Sequence, residues 1–311
     1  MKQILVFLLS FLVLLAVIVS GCGGQSEAGK GPIVVGSKID TEGSLLSQMI
    51  ILMLTDSGFD VVDKSQFGPT SVVRKALESG ELDIYPEYTG NGAFFFDETE
   101  SDVWNDAQKG YERVKQLDKE TYNIVWLKSA PANNTWAIAI PKLLSDEESI
   151  RTLDDFAAYV NRGGYVKLIG SEEFVTSPVA LPKFQEVYGF SLKQEQLLTV
   201  SSGDTAQTEK AASEGTDDVN AAMAYGTDGS LSALELVVLA DPRGAQPVYE
   251  PAPRVRGEIV DQYPEIAGIL DPVFASLDLV TLQNLNAKIA VEGRNANDVA
   301  KEYLIAKGFL K

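Results

Sequence analysis

Apolar and polar positions alternate along this chain with two periods, and the switches between them mark its elements. "IVVGSK" (residues 33–38) is a short β-branched run ending near a glycine, the pattern of a buried strand. "TEGSLLSQMIILMLTDSG" follows with helical spacing. Leu45, Met49, Leu52 and Met53 share a face, Thr41 is the candidate cap, and Gly58 lies just past the end. "FDVVDKSQ" predicts a second strand, "FGPTSVVRKALESG" a turn and a helix, and "ELDIYPEYTG" a third strand. Such a β-α-β-α-β series predicts a mainly parallel sheet with helices on both faces. An amphipathic helix is expected over residues 102–120, then strands at "NIVWLK" and "NNTWAIAIP".

A second block repeats the alternation. A helix over 152–164 precedes a strand at "YVKLIGS". Helices at "SPVALPKFQEVYG" and "GDTAQTEKAASEG" follow, the latter capped by Asp204. "VNAAMAYGTDG" is a strand entering a glycine-rich turn, and "LELVVLADP" is one more strand. The C-terminal stretch reads as successive helices that could pack back on the first block. The pattern predicts an α/β protein of two lobes with a cleft, where ligands sit beyond the carboxyl ends of strands.

The N-terminus has a different pattern. Lys2 precedes the apolar run "ILVFLLSFLVLLAVIV" (residues 4–19), and "VSGC" leads to Cys22, the only cysteine. This reads as a secretory leader, with a membrane anchor of similar length as the alternative. It resembles a lipoprotein signal with its lipobox. That resemblance implies a signal peptide over 1–21, lipid on Cys22, and a location in the periplasm or at the cell surface. Residues 22–31 then form a lipidated, flexible polar tether, and attachment to the membrane is through the lipid alone.

Composition narrows the chemistry. The 311 residues carry a formal net charge of −18, which repels phosphate backbones and argues against a nucleic-acid partner. The chain contains no histidine, which removes the usual metal ligand and the usual general base at neutral pH. No metal, no cofactor and no catalytic group is expected. Asp83 and Glu87 have the residue types for acid–base work. Their spacing spans a proline, and solvated or capping roles fit them better. An enzyme using Asp83, Glu87 or Asp228 is the alternative from another class.

What recurs at the ends of the apolar runs is aromatic. Tyr85 and Tyr88 follow one, Trp136 opens another, Tyr225 closes a third, and Tyr249 follows "DPRGAQP"; Lys38 is the single cation among them. Ring faces attract cations, quaternary ammonium groups above all. Lys38, next to a helix start, could hold an anion. Rings at one end and a lysine at the other would suit a small zwitterion. Each tyrosine alone fits packing as well, and Lys38 alone fits a solvated side chain.

"VGSKIDTEGSLL", "GELDIYPEYTGNGAFFF", "PANNTWAIA", "VNAAMAYGTDG" and "PVYEPAPRVR" together resemble the glycine betaine/choline-binding proteins of ABC uptake systems, and among them the OsmF-type osmoprotectant-binding proteins. The resemblance covers the chain from about Pro32 onward. It implies a type II periplasmic-binding-protein fold: two α/β lobes joined by two crossover strands, with residues 32–138 and 243–311 in one lobe and 139–242 in the other. It implies a monomer that takes a small zwitterionic quaternary amine and delivers it to an ABC permease and its ATPase.

Residue by residue, the resemblance makes Tyr88, Trp136, Tyr225 and Tyr249 the cation cage and Lys38 the carboxylate contact. Thr89 and Asn91 lie where backbone N–H groups approach the ligand. Trp136 stands where relatives often have tyrosine, Asn134 where they often have aspartate, Asn91 in place of a threonine, and Ser177 in place of an arginine. Losing that guanidinium removes one or two charge-assisted hydrogen bonds of roughly 1.5–3 kcal/mol each. Weaker binding of glycine betaine, or preference for another quaternary amine, is the expected consequence. Another small cationic or amino-acid-like ligand, or a non-transporting stress-related envelope lipoprotein, are the alternatives.

Overall fold

The structure, a computed structural model, describes residues 30–99, 101–201 and 205–311. The leader, Cys22, most of the tether and the expected cap Asp204 lie outside the described residues.

Two five-stranded sheets organise the chain. The first contains β1 (Lys30–Lys38), β2 (Phe59–Gly68), β3 (Ile84–Tyr88), β4 (Ile124–Trp126) and β10 (Pro251–Arg256), in the order β2-β1-β3-β10-β4. The second contains β5 (Trp136–Pro141), β6 (Leu168–Ser171), β7 (Leu197–Val200), β8 (Ala221–Tyr225) and β9 (Leu236–Val238), in the order β7-β6-β8-β5-β9. The chain crosses between the two lobes after β4 and returns after β9. The crossovers run side by side: Asn134 N donates to Tyr249 O (3.0 Å) and Ala130 N to Pro251 O (2.8 Å).

Both sheets are mixed rather than mainly parallel. β1 pairs parallel with β2 and β3, but β10 lies antiparallel between β3 and β4. In the other lobe β6 pairs parallel with β7 and β8, while β5 is antiparallel to β8 and β9. This topology collects the functional edge. Where parallel strands present carboxyl ends, an antiparallel neighbour presents its start. The ends of β1, β3 and β8 therefore meet the starts of β10 and β5.

The helix Thr41–Asp56 is apolar nearly all round: Leu45, Leu46, Ile50 and Leu54 are fully buried as well as Met49. It sits between β1 and the C-terminal helices Glu265–Ala275, Leu279–Ala290 and Ala296–Ala306, whose Leu270, Phe274, Leu282, Val299 and Leu304 join the same core. Each fully buried side chain of this kind contributes roughly 1.5–3 kcal/mol. Its cap is Asp40, whose carboxylate accepts Gly43 N at 2.6 Å, not Thr41. The helix expected over 102–120 is two elements. A single 3-10 turn, Asp102–Asn105, is followed by a helix, Ala107–Tyr122, that starts afresh from the cap Asp106.

Candidate functional site

Trp136 opens β5 and Tyr225 closes β8, and the two residues are direct cross-strand partners. Their rings stack at 6.5 Å and 23°, and Trp136 Nε1 donates to the Tyr225 hydroxyl at 2.9 Å. Phe174, fully buried, braces Trp136 edge-on at 6.2 Å. Both stacked residues remain half-buried, so the pair presents ring surface from the second lobe. Burial raises the Tyr225 hydroxyl above its ordinary pKa.

Tyr249 stands on the returning crossover. A Cβ on Gly90 would lie 2.8 Å from its Cδ1, so the ring rests on bare backbone that only glycine leaves free. Its hydroxyl is pushed up to about 12 by burial, with Tyr225 and Glu87 adding to the shift. Tyr249 thus sits within electrostatic reach of both lobes. Thr89 fastens this arrangement. Its N–H donates to Glu250 O (3.0 Å), its hydroxyl to Val248 O (3.0 Å), and it accepts Glu250 N (3.1 Å).

Tyr88 is only 7% exposed, and its hydroxyl donates to Glu42 Oε1 at 2.7 Å. The Lys38 ammonium lies 4.5 Å from the centre of its ring. The same ammonium pairs with Glu87 Oε1 at 2.5 Å. Glu87 is therefore neither solvated nor a cap: it is fully buried and takes Tyr88 N (2.7 Å), Asn91 Nδ2 (2.8 Å) and the Tyr85 hydroxyl (2.9 Å) besides Lys38. Burial alone would raise its carboxyl, but the charge of Lys38 and these hydrogen bonds bring it below its ordinary value. Asp83 is buried as well, accepting Val34 N at 2.9 Å and pairing with Arg256 at 3.0 Å. The charged partners of both carboxylates, Lys38 for Glu87 and Arg256 for Asp83, come from distant segments, so the local pattern carries no sign of the pairing.

Behind Glu87 the polar chain continues inward. The Tyr85 hydroxyl accepts Arg254 Nη1 (2.8 Å), and Arg254 forks onto Asp118 (2.9 and 2.6 Å), which also accepts Trp126 Nε1 (2.6 Å). Arg254 and Asp118 are both 0% exposed. This network sets the geometry of Glu87 and hence of Lys38.

Glu42 links the lobes. It accepts Asn286 Nδ2 at 2.6 Å, and that same amide donates to Thr227 O (2.9 Å) in the loop after β8. Asn134 Nδ2 approaches Glu42 Oε1 at 3.5 Å. Gln283, one helical turn from Asn286, donates to Gly226 O at 2.7 Å. Burial raises the Glu42 carboxyl despite hydrogen bonds from Thr227, Tyr88 and Asn286. Sequence reasoning missed Glu42 as a site residue; its place in the first turn of a helix beside Lys38 was the available signal.

Lys38, Tyr88, Asn91 and Asn134 thus gather on Glu87 and Glu42, Trp136 and Tyr225 pair with each other on the second lobe, and Thr89 is fastened to the returning crossover that carries Tyr249. Ser177 ends the helix Glu172–Thr176, whose Phe174 packs on Trp136, with its N–H on Glu173 O (2.8 Å). A cavity of about 520 Å³ lined by Tyr111, Lys115, Trp126, Ser129 and Glu250, among others, includes none of the candidates. Its Trp126 ring is buried and its Tyr111 hydroxyl is engaged with Leu127 O, so it offers no free aromatic cage. Among the described residues no group of three or more metal-ligating side chains occurs, and no helix is long and apolar enough to cross a membrane.

Comparison with known proteins identifies the family of the chain. A family model described as the substrate binding domain of ABC-type glycine betaine transport systems matches residues 31–306. The chain is 54% identical to the glycine betaine-binding protein YehZ of Escherichia coli over 280 residues, 90% of this chain and 92% of that one. It is 32% identical to a glycine-betaine-binding protein of Pseudomonas aeruginosa, with 91% of each chain covered. The solved structure of apo YehZ superposes with a TM-score of 0.87 over 90% of this chain and 99% of that one. A glycine betaine/carnitine/choline ABC transporter structure, 19% identical, shares the fold at a TM-score of 0.78 over 90% of this chain and all of that one. The two-lobed chain described here belongs to the family of substrate-binding domains of ABC-type glycine betaine transport systems.

Proposed function

We propose that this protein captures a small quaternary ammonium compound, glycine betaine or a similar osmoprotectant, between its lobes and hands it to an ABC permease. The observation that carries this reading is the half-buried Trp136–Tyr225 stack at the ends of β5 and β8. A quaternary ammonium group donates no strong hydrogen bond, so ring faces replace its hydration shell at little cost. The lobes share paired crossovers, which suits a hinge. Closure would bring Tyr249 against the ligand from the side opposite Trp136. The relatives' printed names support the ligand class.

The leader and Cys22 support export and a lipid anchor, which would keep the binding lobes beside the permease. Asn134 in place of aspartate removes a negative charge beside the cation, and Ser177 in place of arginine removes a charged partner of the carboxylate, so affinity for glycine betaine is modest on this reading. The test is calorimetric titration with glycine betaine, choline, carnitine and proline betaine. Binding of at least one, lost on removing the stack, is the expected result; no heat with any up to millimolar concentrations would overturn the reading.

A further inference from the structure

Lys38 is not placed as a free anion contact. Its ammonium is bonded to Glu87 at 2.5 Å and lies 4.5 Å over the Tyr88 ring, with only 10% of the side chain exposed. Glu87 in turn is fixed by Tyr85, Tyr88 N and Asn91, and Tyr85 by the buried Arg254–Asp118 pair. Two consequences follow from these distances. The lysine's charge is cancelled within the protein before any ligand arrives. And the face of Tyr88 that a ligand cation would use already holds a cation.

From this geometry we infer that the Lys38–Glu87 pair sets the charge preference of the cleft, with Lys38 a built-in tenant of the Tyr88 ring, so that a quaternary cation without a carboxylate is preferred over a zwitterion. The inference rests on the reading of the cleft as a quaternary-ammonium site and names the class it favours. A bound carboxylate would have to share the Lys38 ammonium with Glu87, so it meets a charge already neutralised and a like charge beside it. A plain cation faces no such demand; it uses Trp136, Tyr225 and Tyr249 and meets Lys38 only at Tyr88. Glu87 is a positioning residue here: it acts through Lys38.

The test is titration of the mature protein with choline and with glycine betaine, in the wild type and in Lys38→Met, Glu87→Gln and the Lys38→Met/Glu87→Gln double variant. Wild type should bind choline about tenfold more tightly, the cost of an unpaired carboxylate. Lys38→Met should tighten choline by up to about tenfold, the range of one cation–π contact. Glu87→Gln, by freeing Lys38, should shift the ratio of the two affinities toward glycine betaine. A purely structural role for Glu87 would move both ligands together and leave that ratio unchanged. The double variant removes the tenant without leaving a buried charge, and it should tighten choline even where a single variant fails to fold. Tighter wild-type binding of glycine betaine than choline, or choline affinity unchanged in both Lys38→Met and the double variant, overturns the inference while leaving the quaternary-ammonium reading intact. Binding of neither ligand by any of the four proteins overturns both.

Discussion

Lys38 and Glu87, forty-nine residues apart in sequence, form a 2.5 Å ion pair at the point where β1 and β3 end. The family resemblance assigns the lysine to the ligand; in this structure the protein has already partnered it. The cleft edge is thus built from neutralised charge and ring surface rather than from open cations.

The stacked pair is the part of the site that removal should reveal first. Trp136→Ala and Tyr225→Ala should each weaken binding of a quaternary amine at least about tenfold, in line with desolvated cation–π contacts of about 2 kcal/mol. Isothermal titration measures this. Unchanged affinity in both variants would mean the cage lies elsewhere.

Gly90 gives a second, indirect probe. A Cβ there meets Tyr249 Cδ1 and Val248 O at 2.8 Å each. Gly90→Ala should displace the Tyr249 ring, cost about 1–3 kcal/mol of stability as overpacking does, and weaken binding. Urea unfolding together with titration checks both; a variant with wild-type stability and affinity contradicts the contact.

The buried Arg254–Asp118 pair should matter for the fold more than for the ligand. Asp118→Ala leaves an uncompensated guanidinium at 0% exposure, which typically costs about 3–5 kcal/mol. Equilibrium denaturation should show this, and a loss under about 1 kcal/mol, the worth of a surface pair, would show that the interior tolerates the charge.

The two buried glutamates should give pH dependences of opposite sign. Glu87 is held below its ordinary pKa, so its contribution is present above the unfolded carboxyl value and is lost as pH falls through the folded one. Glu42 is raised, so its folded form keeps a proton that the unfolded chain releases. Its penalty therefore grows as pH rises from the unfolded value to the folded one, then levels off. Urea midpoints of wild type minus Glu87→Gln should fall on acidification, and those of wild type minus Glu42→Gln should fall on raising pH. Parallel curves would refute the assignment.

Much of the frame is legible in the sequence because it depends on local pattern. The β-α-β-α-β opening and the helix that begins after Thr152 follow from spacing and composition. β10 does not, because Pro251 and Pro253 argue against a central strand. The structure accommodates Pro253 by setting it opposite Pro86 of β3, while the Pro253 and Pro251 carbonyls still accept Leu127 N and Ala130 N. β7 was also missed: its "LLTV" is too short to stand out. In the site, the aromatics at strand ends are visible because their position in the pattern is unusual. The burial of Glu87, Glu42 and Asp83 is not, because it depends on partners brought in from Lys38, Asn286 and Arg256.

The central claim is that the cleft holds a quaternary ammonium group against Trp136, Tyr225 and Tyr249. Calorimetric titration of the mature wild-type protein with choline, glycine betaine, carnitine and proline betaine, repeated in Trp136→Ala, tests it most directly. Saturable binding of at least one of these is expected in the wild type, and its loss in the variant. Absence of heat with all four up to millimolar concentrations, or binding that Trp136→Ala leaves unchanged, would contradict it.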